Sequence, residues 1–301
     1  MNVIAVKELR KEYKEKLAVD KVTFQLEEGK CTALLGPNGA GKTTTIQMLA
    51  GLITPSSGSV QSDLLPETKD LRSLIGYLPQ YPSFFDWMSG EEYMIFSGEI
   101  AGISKKEAQK RTGNLLDLVG LSDSKTRKIG EFSGGMKQRL GIAQALIHKP
   151  QLLMLDEPVS ALDPFGRREV LELMGRLKKE TTILFSTHIL NDAEEICDDV
   201  LFLHQGNLVE GGTLLEIKER YKEAVLALQF EESADQFIKY FTGSPFIQEH
   251  TINGGTVHFK VSDVSKARNE VLEIAVQHAI PLIRFETSES SLEDIFMKVV
   301  K

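Results

Sequence analysis

Cysteine is scarce in this chain, since only Cys31 and Cys197 occur among 301 residues. The two residues have neither the paired spacing of a disulfide framework nor the clustered spacing of a metal site. Their scarcity excludes a small secreted domain held together by disulfides, and it indicates a protein of a reducing compartment such as the cytosol.

The sequence also lacks long apolar runs, signal-peptide features and blocks of like charge. No run approaches the roughly 18 apolar residues of a membrane span, and the start MNVIAVKELRKEY lacks the layout of a signal peptide. The net charge of −8 is spread along the chain, which gives no electrostatic reason to expect a nucleic-acid partner. We expect the chain to stay in the cytoplasm unless another protein holds it at a membrane.

The length exceeds that of one ordinary domain, and a hydrophobic content of 42% is sufficient for substantial cores, so we expect two domains. Apolar runs such as CTALL, LLML and TTILFS are typical of strands buried in a parallel sheet, and they indicate an α/β core. Helical spacing and a capping box at Ser104 and Glu107 predict a helical lobe at about 85–148. We predict a first domain over 1–219 and a βαββαβ, ferredoxin-like α+β domain over 220–301.

The segment LLGPNGAGKTTT matches G-x-x-x-x-G-K-[ST] between a predicted strand and a predicted helix. Its glycines let backbone N–H groups converge on phosphate oxygens at the positive end of the helix dipole. Lys42 would oppose that dipole unless a polyphosphate lay between them, which favours nucleotide binding over a glycine-rich turn with a solvated lysine. The predicted nucleotide-binding residues are Gly36, Pro37, Asn38, Gly39, Ala40, Gly41, Lys42, Thr43 and Thr44.

Polar side chains follow three of the predicted strands. Asp156 and Glu157 end one of them, where a cation would reconcile two adjacent acids; alternatively, they mark a strand that runs into a polar loop. Gln80 and His188 also follow strands, so a parallel sheet brings all four to the ligand-binding edge. In a phosphoryl-transfer site, Asp156 and Thr43 can hold Mg²⁺ while Glu157 deprotonates an attacking water.

The segment EFSGGMKQRL begins a predicted helix with a serine and two glycines, although each interior glycine costs a helix about 1 kcal/mol relative to alanine. With this segment, the set of motifs resembles the nucleotide-binding subunits of ABC transporters across residues 1 to about 220. In that resemblance, GPNGAGKT is the Walker A loop, LLMLDEP the Walker B strand and FSGGM the signature. The remaining matches are the adenine-stacking Tyr13, the Q-loop Gln80, the signature Ser133, Gly134, Gly135 and Met136, the D-loop Asp163 and the switch His188.

The resemblance implies a P-loop cassette with a mostly parallel core sheet, an antiparallel β subdomain and a helical lobe. It implies two cassettes, identical or paralogous, that hold two Mg-ATP between one subunit's phosphate loop and the other's signature helix. Glu157 is then the general base, His188 the γ-phosphate sensor and Gln80 a further catalytic residue. Thr43, Gln80 and Asp156 are the expected Mg²⁺ ligands. Tyr13 stacks on adenine or, alternatively, is a packing residue.

The family further implies an integral membrane permease as partner, which would hold the chain at the inner face of the cell membrane. Phe84, Phe85 and Trp87 lie where a permease helix is received, although they fit the core of the lobe equally well. The C-terminal segment resembles exporter ATPases for drugs, antibiotics or sodium. The expected function is therefore an ATP-hydrolysing transporter subunit for export; the alternatives are a soluble ABC ATPase and a noncatalytic regulatory cassette.

Overall fold

The computed structural model describes residues 1–14, 16–66, 70–221, 224–231, 233–253, 255–288 and 291–300. These residues form two compact units, of which the first comprises Met1–Leu214 with Val300 and the second Leu215–Val299. Within the described ranges, no helix is long and apolar enough to span a membrane.

The central sheet of the first unit has six strands in the order β5-β6-β7-β3-β8-β9. The strands are β3 (Cys31–Leu35), β5 (Ile75–Leu78), β6 (Leu152–Asp156), β7 (Thr182–Thr187), β8 (Asp199–His204) and β9 (Asn207–Thr213). All neighbours are parallel except β9, which pairs antiparallel with β8. Every residue of β3, β6 and β7 is buried, as their continuous apolar runs predict for strands inside a parallel sheet.

A smaller antiparallel sheet has the order β2-β1-β4. Its strands are β1 (Asn2–Tyr13), β2 (Lys16–Glu27) and β4 (Ser57–Gln61), and α1 (Lys42–Leu49) follows β3. Side chains of β1, β2, α1 and the central sheet share one hydrophobic core. This shared core fixes the β1–β2 hairpin beside the loop that enters α1.

Three helices form the helical lobe, and two more precede and follow β7. They are α2 (Gly90–Ile100), α3 (Lys105–Leu118), α4 (Gly134–Leu146), α5 (Pro164–Leu177) and α6 (Leu190–Ile196). Ser104 caps α3 as predicted, but the reciprocal half of the predicted capping box is replaced, because Glu107 pairs with Arg111 at 2.8 Å. The complete capping box lies at the start of α2, between Ser89 and Glu92.

The second unit is a four-stranded antiparallel sheet with helices, entered through α7 (Leu214–Arg220). Its elements are β10 (Val225–Phe230), α8 (Ile238–Phe241), β11 (Ile247–Asn253), β12 (Thr256–Val261), α9 (Val264–Gln277), β13 (Leu282–Ser288) and α10 (Leu292–Val299). The order β11-β12-β10-β13 is that of a ferredoxin-like fold, which confirms the predicted class. Alternate residues of β10 and β12 pack with α9 in a separate core.

Candidate functional site

The loop between β3 and α1 is held in a conformation that requires glycine. A Cβ on Gly36 would lie 2.2 Å from the carbonyl oxygen of Leu203, and a Cβ on Gly41 would lie 2.5 Å from that of Ala18. Gly41, with φ of 105°, is also the N-cap of α1 and has no side chain to satisfy the first turn. The backbone N–H groups at the start of α1 are therefore available to an anion.

Lys42 folds back over this loop although its side chain is only 5% exposed. Its Nζ donates to the carbonyl oxygens of Gly36 at 2.7 Å and Pro37 at 3.2 Å. It also pairs with Oε1 of Glu157 at 3.2 Å. The ammonium is thus placed beside the N-terminus of α1, where a polyphosphate would be bound from both sides.

Asp156 ends β6 beside Ser186 of β7, its register partner. Its Oδ1 accepts hydrogen bonds from Ser186 Oγ at 2.7 Å and Thr43 Oγ1 at 3.1 Å. Its Oδ2 is buried and has no hydrogen-bond partner among the described residues. Burial raises the pKa of Asp156, and the bonds from Ser186 and Thr43 oppose that shift. The Thr43 hydroxyl and the Asp156 carboxylate, whose Oδ2 has no hydrogen-bond partner among the described residues, provide oxygen donors of the kind that bind Mg²⁺.

Glu157 follows with a left-handed backbone, at φ of 47°. This turn carries its side chain into the site, where Oε1 meets Lys42 and Oε2 lies 2.9 Å from Nδ1 of His188. The Glu157 N–H donates to Ser186 Oγ at 2.9 Å. The Glu157 carboxylate is therefore held between the Lys42 ammonium and the His188 imidazole. A general base has to be oriented in this way to take a proton from water.

Lys42, Thr43 and Glu157 border one cleft of about 350 Å³, and Asp156 and His188 are hydrogen-bonded to Thr43 and Glu157 beside it. The predicted residues that line it are Asn38, Gly39, Gly41, Lys42, Thr43, Thr44, Gln80 and Glu157. Lys16 and Ala18 of β2 also line it; we did not predict them, because in the sequence they look like an ordinary exposed strand. Ser186 was missed as well, although a serine inside an apolar run just before His188 is a usable signal.

Several predicted residues are not among those that line the cleft. Gly36, Pro37, Ala40, Asp156 and His188 adjoin lining residues, whereas Tyr13, Ser133, Gly134, Gly135, Met136 and Asp163 lie on β1 or at the starts of α4 and α5. Tyr13 ends β1 with its ring half-exposed under the Lys11 ammonium, directly across the hairpin from Lys16. Ser133 is exposed and caps α4, where its Oγ accepts from the Met136 N–H at 3.2 Å. Asp163 caps α5 in the same way through the Gly166 N–H at 2.7 Å. Within one chain, Ser133 and Asp163 are helix caps, and the predicted role of Ser133 toward ATP requires a second chain.

The chain matches known proteins along its length. Residues 19–160 match the ABC transporter family, and residues 212–300 match the C-terminal domain of DrrA1-3-like ATP-binding proteins. The chain is 45% identical to the uncharacterized ABC transporter ATP-binding protein YxlF of Bacillus subtilis (strain 168), covering 99% of each. It is 34% identical to the bacitracin transport ATP-binding protein BcrA of Bacillus licheniformis, covering 99% of this chain and 97% of BcrA. It is 31% identical to the linearmycin resistance ATP-binding protein LnrL of Bacillus subtilis (strain 168), covering 99% and 98%.

Solved structures agree with these relatives. The ATP-binding subunit of an ABC transporter superposes with a TM-score of 0.64 at 34% identity, over 73% of this chain and 93% of that one. A dimeric ATP-binding cassette in a post-hydrolysis state with ADP and phosphate superposes with a TM-score of 0.63 at 25% identity, over 70% and 98%. The predicted family and fold are confirmed, and the chain belongs to the ABC transporter ATP-binding proteins, in which it is the subunit that binds and hydrolyses ATP.

Proposed function

We propose that two cassettes, identical or paralogous, close around two ATP molecules and hydrolyse them to drive a separate membrane permease. The observation that carries the proposal is the convergence of the phosphate loop and the strand ends: Lys42 contacts Glu157, and Glu157 contacts His188. Beside them, Thr43 contacts Asp156. One cleft thus offers a cation for phosphate, oxygen ligands for a metal and a fixed base for water.

Thr43, Asp156 and Gln80 are the residues that would hold Mg²⁺. Thr43 and Asp156 are already joined at 3.1 Å, and Gln80 lines the same cleft. Mg²⁺ is usually bound through one or two protein side chains together with substrate phosphates and water, so phosphate oxygens of ATP would supply further ligands. Bound there, Mg²⁺ neutralises charge on the phosphates.

Glu157 acts as the general base. It takes a proton from the water that attacks the γ-phosphorus, while the bond to the bridging oxygen breaks and ADP leaves with that oxygen. Phosphate offers Lys42 a partner of higher charge than Glu157, so ATP binding releases Oε1 toward the water. His188 keeps hold of Oε2 and thereby orients the carboxylate.

Replacing Glu157 with glutamine tests this role. We expect Glu157→Gln to retain ATP binding, to trap an ATP-bound dimer in size-exclusion chromatography and to lower kcat by at least about a hundredfold. The control is Glu172→Gln, which removes an exposed carboxylate paired with Arg168 on α5 and should leave the rate unchanged. A Glu157→Gln protein that hydrolyses ATP at the normal rate would contradict the proposal.

The second chain supplies the far wall of each site. Ser133, Gly134 and Gly135 present a serine hydroxyl and backbone N–H groups at an exposed start of α4, with Met136 behind them. Such a helix start binds a γ-phosphate well, because its N–H groups and dipole are both directed at the anion. Asp163 lies at the corresponding start of α5 and contacts the other chain from there.

A permease partner is supported by an aromatic surface on the helical lobe. Phe84 packs on Tyr93 with ring centroids 5.2 Å apart and is partly buried. Phe85, Trp87 and Phe96, which we call the aromatic patch, are 47%, 71% and 38% exposed. Clustered exposed aromatic side chains favour a protein interface, so the patch receives a cytoplasmic helix of the permease while Phe84 belongs to the lobe.

The aromatic patch can be tested through its most exposed member. Trp87→Ala should lower copurification with the coexpressed permease at least about tenfold, because a buried interface tryptophan is a typical hot spot. Trp87→Phe keeps an aromatic ring and should retain most of the association. Unchanged association of a folded Trp87→Ala protein would show that the patch is not the docking surface.

Export is the direction that the relatives favour. BcrA is named for bacitracin transport and LnrL for linearmycin resistance, and both match this chain along 99% of its length. We extend export to this chain, with the permease holding it at the inner face of the cell membrane. Residues 220–301 then serve as a regulatory or dimer-contact domain.

A further inference from the structure

The segments that carry Glu157 and His188 are joined a second time, by an ion pair between α5 and α6. Arg167 lies in the first turn of α5 and Asp192 in the first turn of α6. The Arg167 guanidinium donates to Oδ1 of Asp192 from Nε at 2.9 Å and also from Nη2. Asp192 is 3% exposed, and its Oδ2 has no hydrogen-bond partner in the described part of the chain. A buried carboxylate with this one charged partner depends strongly on it.

The ion pair closes a ring through the site. One segment runs from Glu157 to Arg167, and the other runs from His188 to Asp192. The Glu157–His188 bond joins their starts, and the Arg167–Asp192 pair joins their ends. The Arg167–Asp192 pair therefore lies at one end of the short segment that carries His188 at its other end.

Side chains do not fill the whole of the contact between α5 and α6. A space of about 360 Å³ opens beside the ion pair, lined by both charged residues together with Leu162, Pro164 and Asn191. Moreover, α6 has only seven residues, and its N-cap is Ile189, which has no polar side chain. The Arg167–Asp192 pair is the directed contact between α5 and the first turn of α6 that involves a buried carboxylate, whereas Arg168 and Glu195, which also approach each other across the two helices at 3.9 Å, are both exposed.

We infer that Arg167 and Asp192 are positioning residues that align His188 with Glu157 for ATP hydrolysis. The inference rests on the proposed roles of His188 and Glu157. It adds two residues that touch neither the nucleotide nor the attacking water. A misplacement of about 1 Å at a reacting group can lower a rate about a hundredfold, so a small tilt of α6 is sufficient.

The test compares Arg167→Ala with Arg168→Ala in the full chain at saturating Mg-ATP. Arg168 is the neighbouring residue of α5, and its partners Glu172 and Glu195 are exposed. We expect Arg167→Ala to lower kcat about tenfold to a hundredfold and to leave the Kd for ATP within about twofold. In NMR spectra of the histidine-labelled Arg167→Ala protein, the ring signal of His188 should also shift. That signal is identified by its absence from the spectrum of His188→Ala. Arg168→Ala should change none of the three.

If Arg167→Ala does not fold, the same measurements are made on Arg167→Lys. This variant keeps the positive charge but loses the contact through two nitrogens, so we expect an intermediate loss of kcat and a smaller shift of the His188 signal. A kcat within about twofold of the parent protein in the folded variant would overturn the inference, and so would a lowered kcat with an unmoved His188 signal. The failure of the proposed function looks different: His188→Ala or Glu157→Gln would then hydrolyse ATP at the normal rate.

Discussion

Ser186 joins the two adjacent acids of the site through one hydroxyl group. Its Oγ donates to Asp156 Oδ1 at 2.7 Å and accepts from the Glu157 N–H at 2.9 Å, and the residue is fully buried. It is thus the residue that sets the direction of Asp156 and the unusual backbone of Glu157 together. Its role follows from the register that places it beside Asp156 on the neighbouring strand.

Removing this hydroxyl should be costly. Ser186→Ala leaves a buried carboxylate oxygen and a buried N–H with one partner fewer, which costs about 1–3 kcal/mol of unfolding free energy. It also removes a bond that lowers the pKa of Asp156, so that pKa rises further. Since the site needs ionised Asp156, the acidic limb of the pH–rate profile should move to higher pH. Denaturant unfolding and a kcat profile over pH measure both effects.

A matched control exists on the adjacent strand β3. The hydroxyl of Thr32 is equally buried but has no hydrogen-bond partner within the described residues. Thr32→Val keeps the shape of that side chain, so it should be neutral or stabilising and leave the pH profile unchanged. If Ser186→Ala behaves like Thr32→Val, the hydroxyl bridge has no role in the site.

Most of the candidate site was predictable, because its residues follow strands whose order the apolar runs reveal. Lys42, Asp156, Glu157 and His188 each stand at a fixed distance from a buried strand, and a parallel sheet brings such ends together. Lys16 was not predictable, because its place beside the cleft depends on how the β1–β2 hairpin packs on α1. Tertiary packing of that kind leaves no local pattern in the sequence.

At the scale of elements, the start of α4 is the informative case. A Cβ on Gly134 would lie 3.7 Å from Leu162 Cδ2, and one on Gly135 would lie 3.5 Å from the Cα of Gly166, which are ordinary contacts. The fold of one chain therefore does not require either glycine. This result supports the prediction that they serve close approach by a ligand held on another chain.

Alanine at these positions separates folding from function. Gly134→Ala and Gly135→Ala should raise the unfolding free energy by up to about 1 kcal/mol, because alanine favours helix. They should nevertheless lower ATP hydrolysis at least about tenfold, since an added methyl group blocks approach to the γ-phosphate. Circular dichroism melting and a steady-state ATPase assay give the two readouts.

Gly141 in the same helix gives the contrasting case. A Cβ there would lie 2.5 Å from Leu78 Cδ1 of β5, and Leu78 is 1% exposed, so Gly141→Ala overpacks the contact between α4 and β5 and should destabilise the chain by about 1–3 kcal/mol. A loss of stability in Gly134→Ala similar to that in Gly141→Ala would mean that the signature glycines serve folding. Full ATPase activity in both signature variants would exclude a role in approach to phosphate.

The predicted order of elements was correct in the second unit, whereas the capping box at Ser104 was only half correct. The order of strands and helices follows from alternating and helical spacing of hydrophobic residues. Each long segment contains several residues that show the same spacing, so one exception does not change the prediction. A capping box depends on one side chain, and Glu107 has a competing partner one turn later in Arg111. Single polar contacts of this kind are decided by rotamer choice, which the spacing of residues does not encode.

At the scale of the whole molecule, the two units have separate cores, and only the first contains the nucleotide cleft. Residues of the first core come from 3–203, and those of the second come from 226–280.

We therefore expect two transitions in differential scanning calorimetry. A ligand that binds only the folded first unit stabilises it by RT ln(1 + [L]/Kd), about 2.7 kcal/mol at a hundredfold excess over Kd. Mg-ATP should thus raise one Tm by several degrees and leave the other unchanged, with Lys42→Ala as the control in which neither moves. A single transition that shifts as a whole with Mg-ATP would show instead that the C-terminal unit unfolds together with the cassette, and a regulatory role for it would then have to act through that shared stability.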